Sequence, residues 1–460
     1  MCRRLAHVDG ANLRDTVPQE PGSHLVDRRI LALAVPALGA LVAEPLFILA
    51  DTAIVGHLGT AQLAALSLSS TILMTAVGLC VFLAYATTAT VARLLGAGQR
   101  PRALQAGVDG IWLGVGLGTV LAATLALAAH PLLRALGAAP DVADLGATYL
   151  RWSALGLPGM LVVLASTGVL RGLQDTRTPL VVAVSGAAGN AVLNVALVYG
   201  LHLGIAGSGM GTAAAQLGMA VALGAVVVRR ARPEGARVVP RSSGIWANAR
   251  SGLPLFVRTL SLRAAILLTV AVATSLGDVA LAGHQVVMSV WNLVAFALDA
   301  LAIAAQALIG HSLGAGDVTV TRRLLRRSLQ WGTAAGAVLG VVVVGGAWWL
   351  APAFTSSHDV RVAATVGLVV CGLLMPLAGV VFVLDGVLIG AGDGPYLAWA
   401  GIATVVVYLP AAWAVSRFAP DGAAGLAWLW AAFAGVFLGA RAVTTWLRAR
   451  GDGWLVTGAR

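Results

Sequence analysis

Lysine is absent from this chain: all thirty basic side chains are arginine. With 56 glycines and abundant alanine and valine, this usage points to a GC-rich bacterial genome. Cysteine is scarce too. Cys2 lies near the start, and Cys80 and Cys371 lie in separate apolar runs, so neither a disulfide framework nor a metal-ligand spacing can be built from them. Only 11% of the 460 residues are charged, against 59% hydrophobic, and the mean hydropathy is +0.89. No soluble core could hide that much apolar surface, so the surrounding solvent is lipid. A net charge of +11 would suit nucleic acid if it lay on one stripe. The arginines instead fall in short clusters between apolar runs, which argues against a nucleic-acid partner. No Walker loop is present, so ATP-driven work has no support. Residues 1–27 lack the uninterrupted apolar stretch of a cleavable signal peptide. They read as a disordered cytoplasmic tail, with the first span as its own anchor.

What the chain does have is twelve apolar runs, each covering the roughly 20 residues a bilayer requires. They fall near 30–56, 62–92, 105–129, 147–170, 179–200, 207–228, 252–276, 280–310, 328–351, 362–389, 396–416 and 423–446. Their continuous apolarity suits lipid-embedded helices and not the alternating pattern of an outer-membrane barrel. The predicted fold is an all-α membrane protein. One side collects the arginines of the start and end of the chain, together with Arg93, Arg100, Arg102, Arg171, Arg177, the run from Arg229 to Arg250, and Arg322 to Arg327. The other side holds only Arg134, Arg151, Arg361 and Arg417. The positive-inside rule then places both termini in the cytoplasm of a multi-pass protein of the bacterial inner membrane.

A weak internal repeat runs in one register. Pro36 matches Pro254, 218 positions on (254 − 36). At the same offset Leu58-Gly59 matches Leu276-Gly277, Leu95-Gly96-Ala97-Gly98 matches Leu313-Gly314-Ala315-Gly316, Gly172 and Asp175 match Gly390 and Asp393, and Gly204 and Gly207 match Gly422 and Gly425. Two six-helix bundles inserted in the same sense are related by a pseudo-twofold axis along the membrane normal, with a cavity between them. The predicted divisions are a tail over 1–27, an N-lobe over 28–228, a cytoplasmic linker over 229–250, a C-lobe over 251–446 and a second tail over 447–460.

Ionisable groups inside a membrane are costly and become functional candidates by default. Those well inside spans are Glu44 and Asp51 on the first, Asp299 on the eighth and Asp385 on the tenth. Glu44 and Asp51 are seven apart, on one helix face about 10 Å from each other. Arg258 and Arg263 fall in the seventh span, whereas no arginine falls deep inside an N-lobe span. The two arginines and two aspartates of the C-lobe can pair. A carboxylate beside arginine stays ionised, and one without a cation exchanges its proton more readily. A coupling site is therefore expected in the N-lobe. Asn190 and Asn194, i and i+4 on the fifth span, and Thr212 on the sixth would join Asp51 in a cluster able to hold a proton or a hard cation. The same residues would equally serve as interhelical polar contacts with no ion. Pro36, on the same helix as Asp51, supplies a kink.

These residues sit in segments that resemble the multidrug and toxic compound extrusion (MATE) family, in the branch of DNA-damage-inducible protein F. The segments are ADTAIVGHLGTAQLAALSLSS (50–70), LLGAGQ (94–99), GVLRGLQDTRTP (168–179), NAVLNVALVYG (190–200), AGHQV (282–286) and LDGVLIGAGD (384–393), and the likeness covers about residues 28 to 446. It implies two six-helix bundles and export by antiport. Asp51 resembles the family's cation-coupling aspartate, Pro36 the proline whose bending accompanies protonation, and Asn190 and Thr212 its other N-lobe polar positions. Asn194 departs from the Asp that many members carry. The sodium-coupled branch has an acid near Leu262, where this chain has Arg263.

The resulting expectation is a monomeric, non-enzymatic exporter of small organic compounds, cations among them, in exchange for protons or, less favoured, sodium. No resident metal or cofactor is expected. One alternative is a flippase of lipid-linked precursors, which would use Arg258 and Arg263 on an anionic pyrophosphate. Another is a membrane-embedded transferase holding magnesium at Asp141-x-x-Asp144, although no second motif accompanies that pair.

Overall fold

A computed structural model describes residues 23–459, so Cys2 and the expected tail up to residue 22 lie outside the described residues. Within that range all regular structure is helical and forms twelve spans. In the N-lobe these are α1 (Ser23–Gly56), α2 (Thr60–Gly96), α3 (Arg100–Leu127), α4 (Pro140–Ala154 continued by Leu157–Gly172), α5 (Arg177–Gly200) and α6 (Gly204–Ala231). In the C-lobe they are α7 (Ser242–Ser275), α8 (Asp278–Gly314), α9 (Val318–Phe354), α10 (His358–Leu373 continued by Met375–Gly390), α11 (Gly394–Phe418) and α12 (Gly422–Arg450). Pro101, Pro140, Pro158, Pro376 and Pro395 stand in first turns, where the missing N–H has no intrahelical partner to lose.

The repeat of the sequence is a repeat of backbone geometry. Positive φ recurs at Gly59 and Gly277, Gly98 and Gly316, Gln174 and Gly392, and Gly204 and Gly422. Each pair is 218 residues apart, so the matching glycines mark left-handed turns that most side chains resist. α4 and α10 break at equivalent places, next to Gly156 and Leu374, and bend by 47° and 54°. Packing repeats as well. A Cβ on Gly168 would stand 2.6 Å from the carbonyl oxygen of Ala84, and one on Gly386 2.3 Å from that of Ala302. Lipid gives helices no hydrophobic drive to associate, so such close approach of small residues carries the packing.

The interior divides into cores that belong to one lobe and a core that joins both. Around Trp291, Trp430 and Phe433 every buried residue is from the C-lobe; around Leu133, Leu150 and Leu161 every buried residue is from the N-lobe. The shared core lies toward the Arg-rich side, where Val26, Ile30, Leu33 and Phe82 meet Leu308, Leu313, Leu324 and Val387. Ala37 against Ala300 and Ile303 extends it. The lobes thus join through a core toward the Arg-rich side.

Three predicted boundaries move. α1 already begins at Ser23, and Asp27 is held by Arg327 Nε at 2.5 Å and by Trp331 Nε1 at 2.8 Å, both on α9. The linker expected over 229–250 shrinks to 232–241, because α6 runs to Ala231 and α7 starts at Ser242. It docks on α3: Trp112 Nε1 donates to the Val238 carbonyl at 2.7 Å, the Arg237 N–H donates to Gln105 Oε1 at 2.7 Å, and Arg241 pairs with Asp109. The first turns of α7 stay there too, with Asn248 Nδ2 donating to the Ala106 carbonyl at 3.2 Å. The tail expected from 447 is instead helical to Arg450 and then folds back as a strap. Trp454 is 1% exposed. Gly458 N–H donates to the Leu313 carbonyl at 3.0 Å, and Arg93 donates to the carbonyls of Ala391, Val456 and Gly458. Hydropathy marks only the lipid-embedded middle of a helix, so turns that outlast the bilayer escape it.

Candidate functional site

α1 carries Asp51 into the space between α5 and α6, where it is 3% exposed. Asn190 and Asn194 share the facing side of α5, and Thr212 faces it from α6; they are 0%, 0% and 2% exposed. Asn194 Nδ2 donates to Asp51 Oδ1 and, at 3.3 Å, to Asn190 Oδ1. Thr212 Oγ1 donates to Asp51 Oδ2 at 3.1 Å. Among the described residues the carboxylate therefore receives two neutral donors and no cation. Gly211 makes the room: a Cβ there would stand 1.9 Å from Asn194 Oδ1. Asn194 Oδ1 and Asn190 Nδ2 are buried without a hydrogen-bond partner, leaving one acceptor and one donor unused inside the cluster.

Just beyond Asn194, α5 widens into a π-helical turn over Ala196–Gly200. Tyr199 Oη in that turn donates to the Ile54 carbonyl at 2.5 Å, tying α5 to α1 one turn past Asp51. π turns often accompany functional positions. Tyr149 on α4, which the sequence reading missed, is 3% exposed and lies within electrostatic reach of Asp51. Its signal was a hydroxyl-bearing aromatic in an apolar run. Glu44 lies on the same helix but stands outside the cluster, with an exposed side chain. α1 runs as one helix through Pro36 and also through Pro45.

The C-lobe has no equivalent cluster. Adding 218 to Asp51, Asn190, Asn194 and Thr212 leads to Thr269, Tyr408, Ala412 and Trp430. Thr269 Oγ1 and Tyr408 Oη form a buried hydrogen bond of 2.8 Å, and Trp430 fills the rest at 0% exposure. One lobe has a carboxylate where the other has aromatic packing.

The charged groups of the C-lobe assemble differently from the expected two pairs. Arg258 NH2 donates to Asp385 Oδ2 at 2.6 Å, and Arg441 donates to the same oxygen. Arg441, which the charge pattern of the sequence places on the cytoplasmic side with the arginines of the chain end, is drawn into this pair with a side chain only 11% exposed. Asp299 lies within electrostatic reach of Arg258 and of Arg171 on α4 of the N-lobe. Arg263 pairs with neither aspartate: it is exposed and its guanidinium lies over Gly78 of α2. Five residues separate it from Arg258, a rotation of about 140° around the helix. The flippase alternative thus finds Arg258 engaged with Asp385 and Arg263 on a different face. The Asp141-x-x-Asp144 pair of the transferase alternative lies at the start of α4, with Asp144 74% exposed and 3.0 Å from His130.

The MatE family profile matches residues 36–196 and again 254–414, windows offset by the same 218 positions. Protein DETOXIFICATION 44, chloroplastic, of Arabidopsis thaliana is 30% identical over 394 residues, covering 83% of this chain and 75% of that protein. DNA damage-inducible protein F of Escherichia coli is 27% identical over 398 residues, covering 84% and 86%. The Vibrio cholerae MATE transporter VcmN in its bent form superposes with a TM-score of 0.83 at 23% identity, over 94% of this chain and 98% of that one.

Proposed function

The chain belongs to the MatE family, and from that premise we propose that it is a secondary active exporter of small organic compounds, driven by cation entry through the Asp51 cluster. The observation that carries this reading is the setting of Asp51, a buried carboxylate fed by Asn194 and Thr212 with no arginine beside it. Such a group can be neutralised without stranding a partner charge. A carboxylate beside Arg258 and Arg441 cannot.

The ion favoured by this chemistry is the proton. Both oxygens of Asp51 already face N–H or O–H donors, an arrangement suited to a protonatable acceptor more than to an oxygen cage for sodium. Once Asp51 carries a proton it must donate, and the unused Oδ1 of Asn194 can serve as acceptor if the amide turns over. Pro36 and Pro45 lack the N–H groups that would brace α1, so this helix can rearrange when its charge is removed. With the Arg-rich side as cytoplasm, the shared core closes the lobes inward, and rocking about that junction would alternate access. The protein works as a monomer in the bacterial inner membrane, with both termini inside.

The test is efflux from proteoliposomes loaded with a fluorescent organic cation or a fluorescent organic acid, under an imposed proton gradient and then a sodium gradient. Proton-driven efflux lost in Asp51→Asn supports the reading. Wild-type efflux by Asp51→Asn under the same gradient would sink it.

A further inference from the structure

The two lobes share a fold and a register but not their tryptophans. Trp112 and Trp152 precede the linker, and the other eleven of the 13 follow it. Six of these are exposed on C-lobe helices: Trp348 and Trp349 on α9, Trp399 and Trp413 on α11, and Trp428 and Trp446 on α12. Subtracting 218 leads to His130, Pro131, Val181, Val195, Met210 and Val228, none of them tryptophan or tyrosine. All six stand near a helix end, the farthest being Trp348, six residues from Phe354 (354 − 348), and Trp428, six from Gly422 (428 − 422). On α11, Trp399 and Trp413 close the two ends of one exposed stripe that runs through Ile402, Val406 and Leu409. They are 14 residues apart (413 − 399), about 21 Å along a helix. Trp428 and Trp446 are 18 apart (446 − 428), about 27 Å, against a hydrocarbon core of about 30 Å. The guanidinium of Arg450 lies over the Trp446 ring at 5.3 Å, a pairing suited to the headgroup level. On α5 the equivalent stripe of Val181, Val184 and Val195 is exposed too, with no aromatic side chain at either end. Trp152, also exposed, lies 12 residues into α4 (152 − 140), away from its start. Trp246 belongs to the first turns of α7, which dock on α3.

We propose that the C-lobe is the lobe fastened to the bilayer, its two tiers of tryptophan partnering the glycerol and headgroup layers of phospholipid, and that the N-lobe is the body that moves relative to the membrane. An indole has an apolar body for the acyl chains and one N–H for lipid oxygens, so its favourable depth is narrow. An aliphatic helix end has no such preferred level and slides in depth more easily. Rocking about the shared core then carries the Asp51 cluster through the membrane while the C-lobe keeps its depth. The inference rests on the alternating-access reading only in naming the lobe that moves during transport; the fastening itself requires no transport.

The experiment measures depth in the full chain, reconstituted in phosphatidylcholine bilayers with no substrate and no ion gradient. A fluorophore is attached at Leu136→Cys or at Phe354→Cys, with Cys2, Cys80 and Cys371 replaced. Both positions are exposed, and they are equivalent in the repeat (354 − 136 = 218). Spin labels on the lipid headgroup or on the middle of the acyl chain serve as quenchers. When the acyl chains are lengthened, the fluorophore at 136 should lose headgroup quenching and gain mid-chain quenching. The one at 354 should keep both, because lipid around a fastened lobe thins to hold the rings at their level. Leucine at all six tryptophan positions should make 354 respond as 136 does. Six changes together can prevent folding, so the converse variant is made as well: Val181→Trp with Val195→Trp should hold 136 at its depth. Equal shifts at 136 and 354 in the wild type, or a shift at 136 that the two added tryptophans leave unchanged, overturns the proposal. The same double variant should slow proton-driven efflux, and wild-type efflux with 136 held in place overturns the assignment of the moving lobe. Depth is read without a gradient, so a wrong coupling assignment leaves it unchanged, and equal depth shifts leave the Asp51→Asn experiment unchanged.

Discussion

Gly96 on α2 and Gly314 on α8 each press on the backbone of the other's helix. A Cβ on Gly96 would stand 1.9 Å from the carbonyl oxygen of His311, and one on Gly314 2.1 Å from that of Arg93. Both pairs obey the 218-residue offset, so the lobes meet on the Arg-rich side through one contact made twice. Either glycine replaced by alanine should push the lobes apart there, at about 1–3 kcal/mol for an overpacked contact. The check is maleimide labelling of Ala305→Cys, with Cys2, Cys80 and Cys371 replaced. Ala305 is 1% exposed on α8, and its labelling should rise in Gly96→Ala. Unchanged labelling would mean that the crossing does not hold the lobes together.

Asn194→Asp tests what the amide contributes. The change places a second carboxyl beside Asp51, so the cluster can take two protons where it took one. The expected outcome is a higher ratio of protons to substrate, read as steeper dependence of efflux on the proton gradient. An amide turnover would no longer be needed. A ratio identical to wild type would argue against Asn194 as the acceptor for the proton of Asp51.

Thr212→Val removes one donor from Asp51 Oδ2 without disturbing shape. It should cost the ionised state roughly 1 kcal/mol, moving the pH dependence of efflux toward higher pH while leaving the maximal rate near wild type. Abolished transport at every pH would instead give Thr212 a role in the transport step itself.

The strap formed by residues 451–458 ties Arg93 of the N-lobe to the C-lobe. Deleting residues after Arg450 should free Arg93 from two carbonyls and raise labelling of Ala305→Cys as Gly96→Ala does. Arg93→Gln should act in the same direction. If truncation lowers the melting temperature but leaves labelling unchanged, the strap only stabilises.

Asp175 offers a pH test outside the membrane. Burial pushes its carboxyl up, but the N–H and hydroxyl of Thr178 and the guanidinium of Arg230 pull it further down, so the net direction is below the ordinary value. A lowered folded-state pKa stabilises at neutral pH, and that contribution is lost as pH falls through the carboxylate range. Asp175→Asn should therefore destabilise by roughly 1 kcal/mol at pH 7, and the difference should vanish well below pH of about 4. Asp393 and Arg448 form the equivalent pair in the C-lobe at 2.6 Å, and Asp393→Asn provides an internal comparison.

Much of this was legible in the residues. The spans were visible because lipid demands long apolar runs, and the repeat because left-handed turns demand glycine at fixed places. Asp51 stood out as an acid within a long apolar run; the expectation that no arginine lies inside its lobe fails, because Arg93 and Arg171 are buried on α2 and α4, although neither is a hydrogen-bond partner of Asp51. Arg441 was hidden because hydropathy cannot separate an arginine buried at the end of a span from one in a loop. The different fates of Arg258 and Arg263 could have been read from helical phase, which puts them on different faces. The strap was hidden for another reason. It is held largely through backbone carbonyls, which every residue possesses; Trp454 and the Asp452–Arg322 ion pair are its side-chain contributions.

The first helix of each lobe starts in the territory of the other. α1 is fastened by Asp27 to α9, and α7 by Asn248 to α3; both then run on into their own lobes. Pro36 and Pro254 stand where these helices pass from one body to the other, and neither can close the hydrogen bond that would stiffen the passage. Torque between the lobes is therefore concentrated on two axles related by the pseudo-twofold. On the proposed coupling, a proton taken up at Asp51, about four turns beyond one of them, would act on a lever whose fulcrum is built into the same helix.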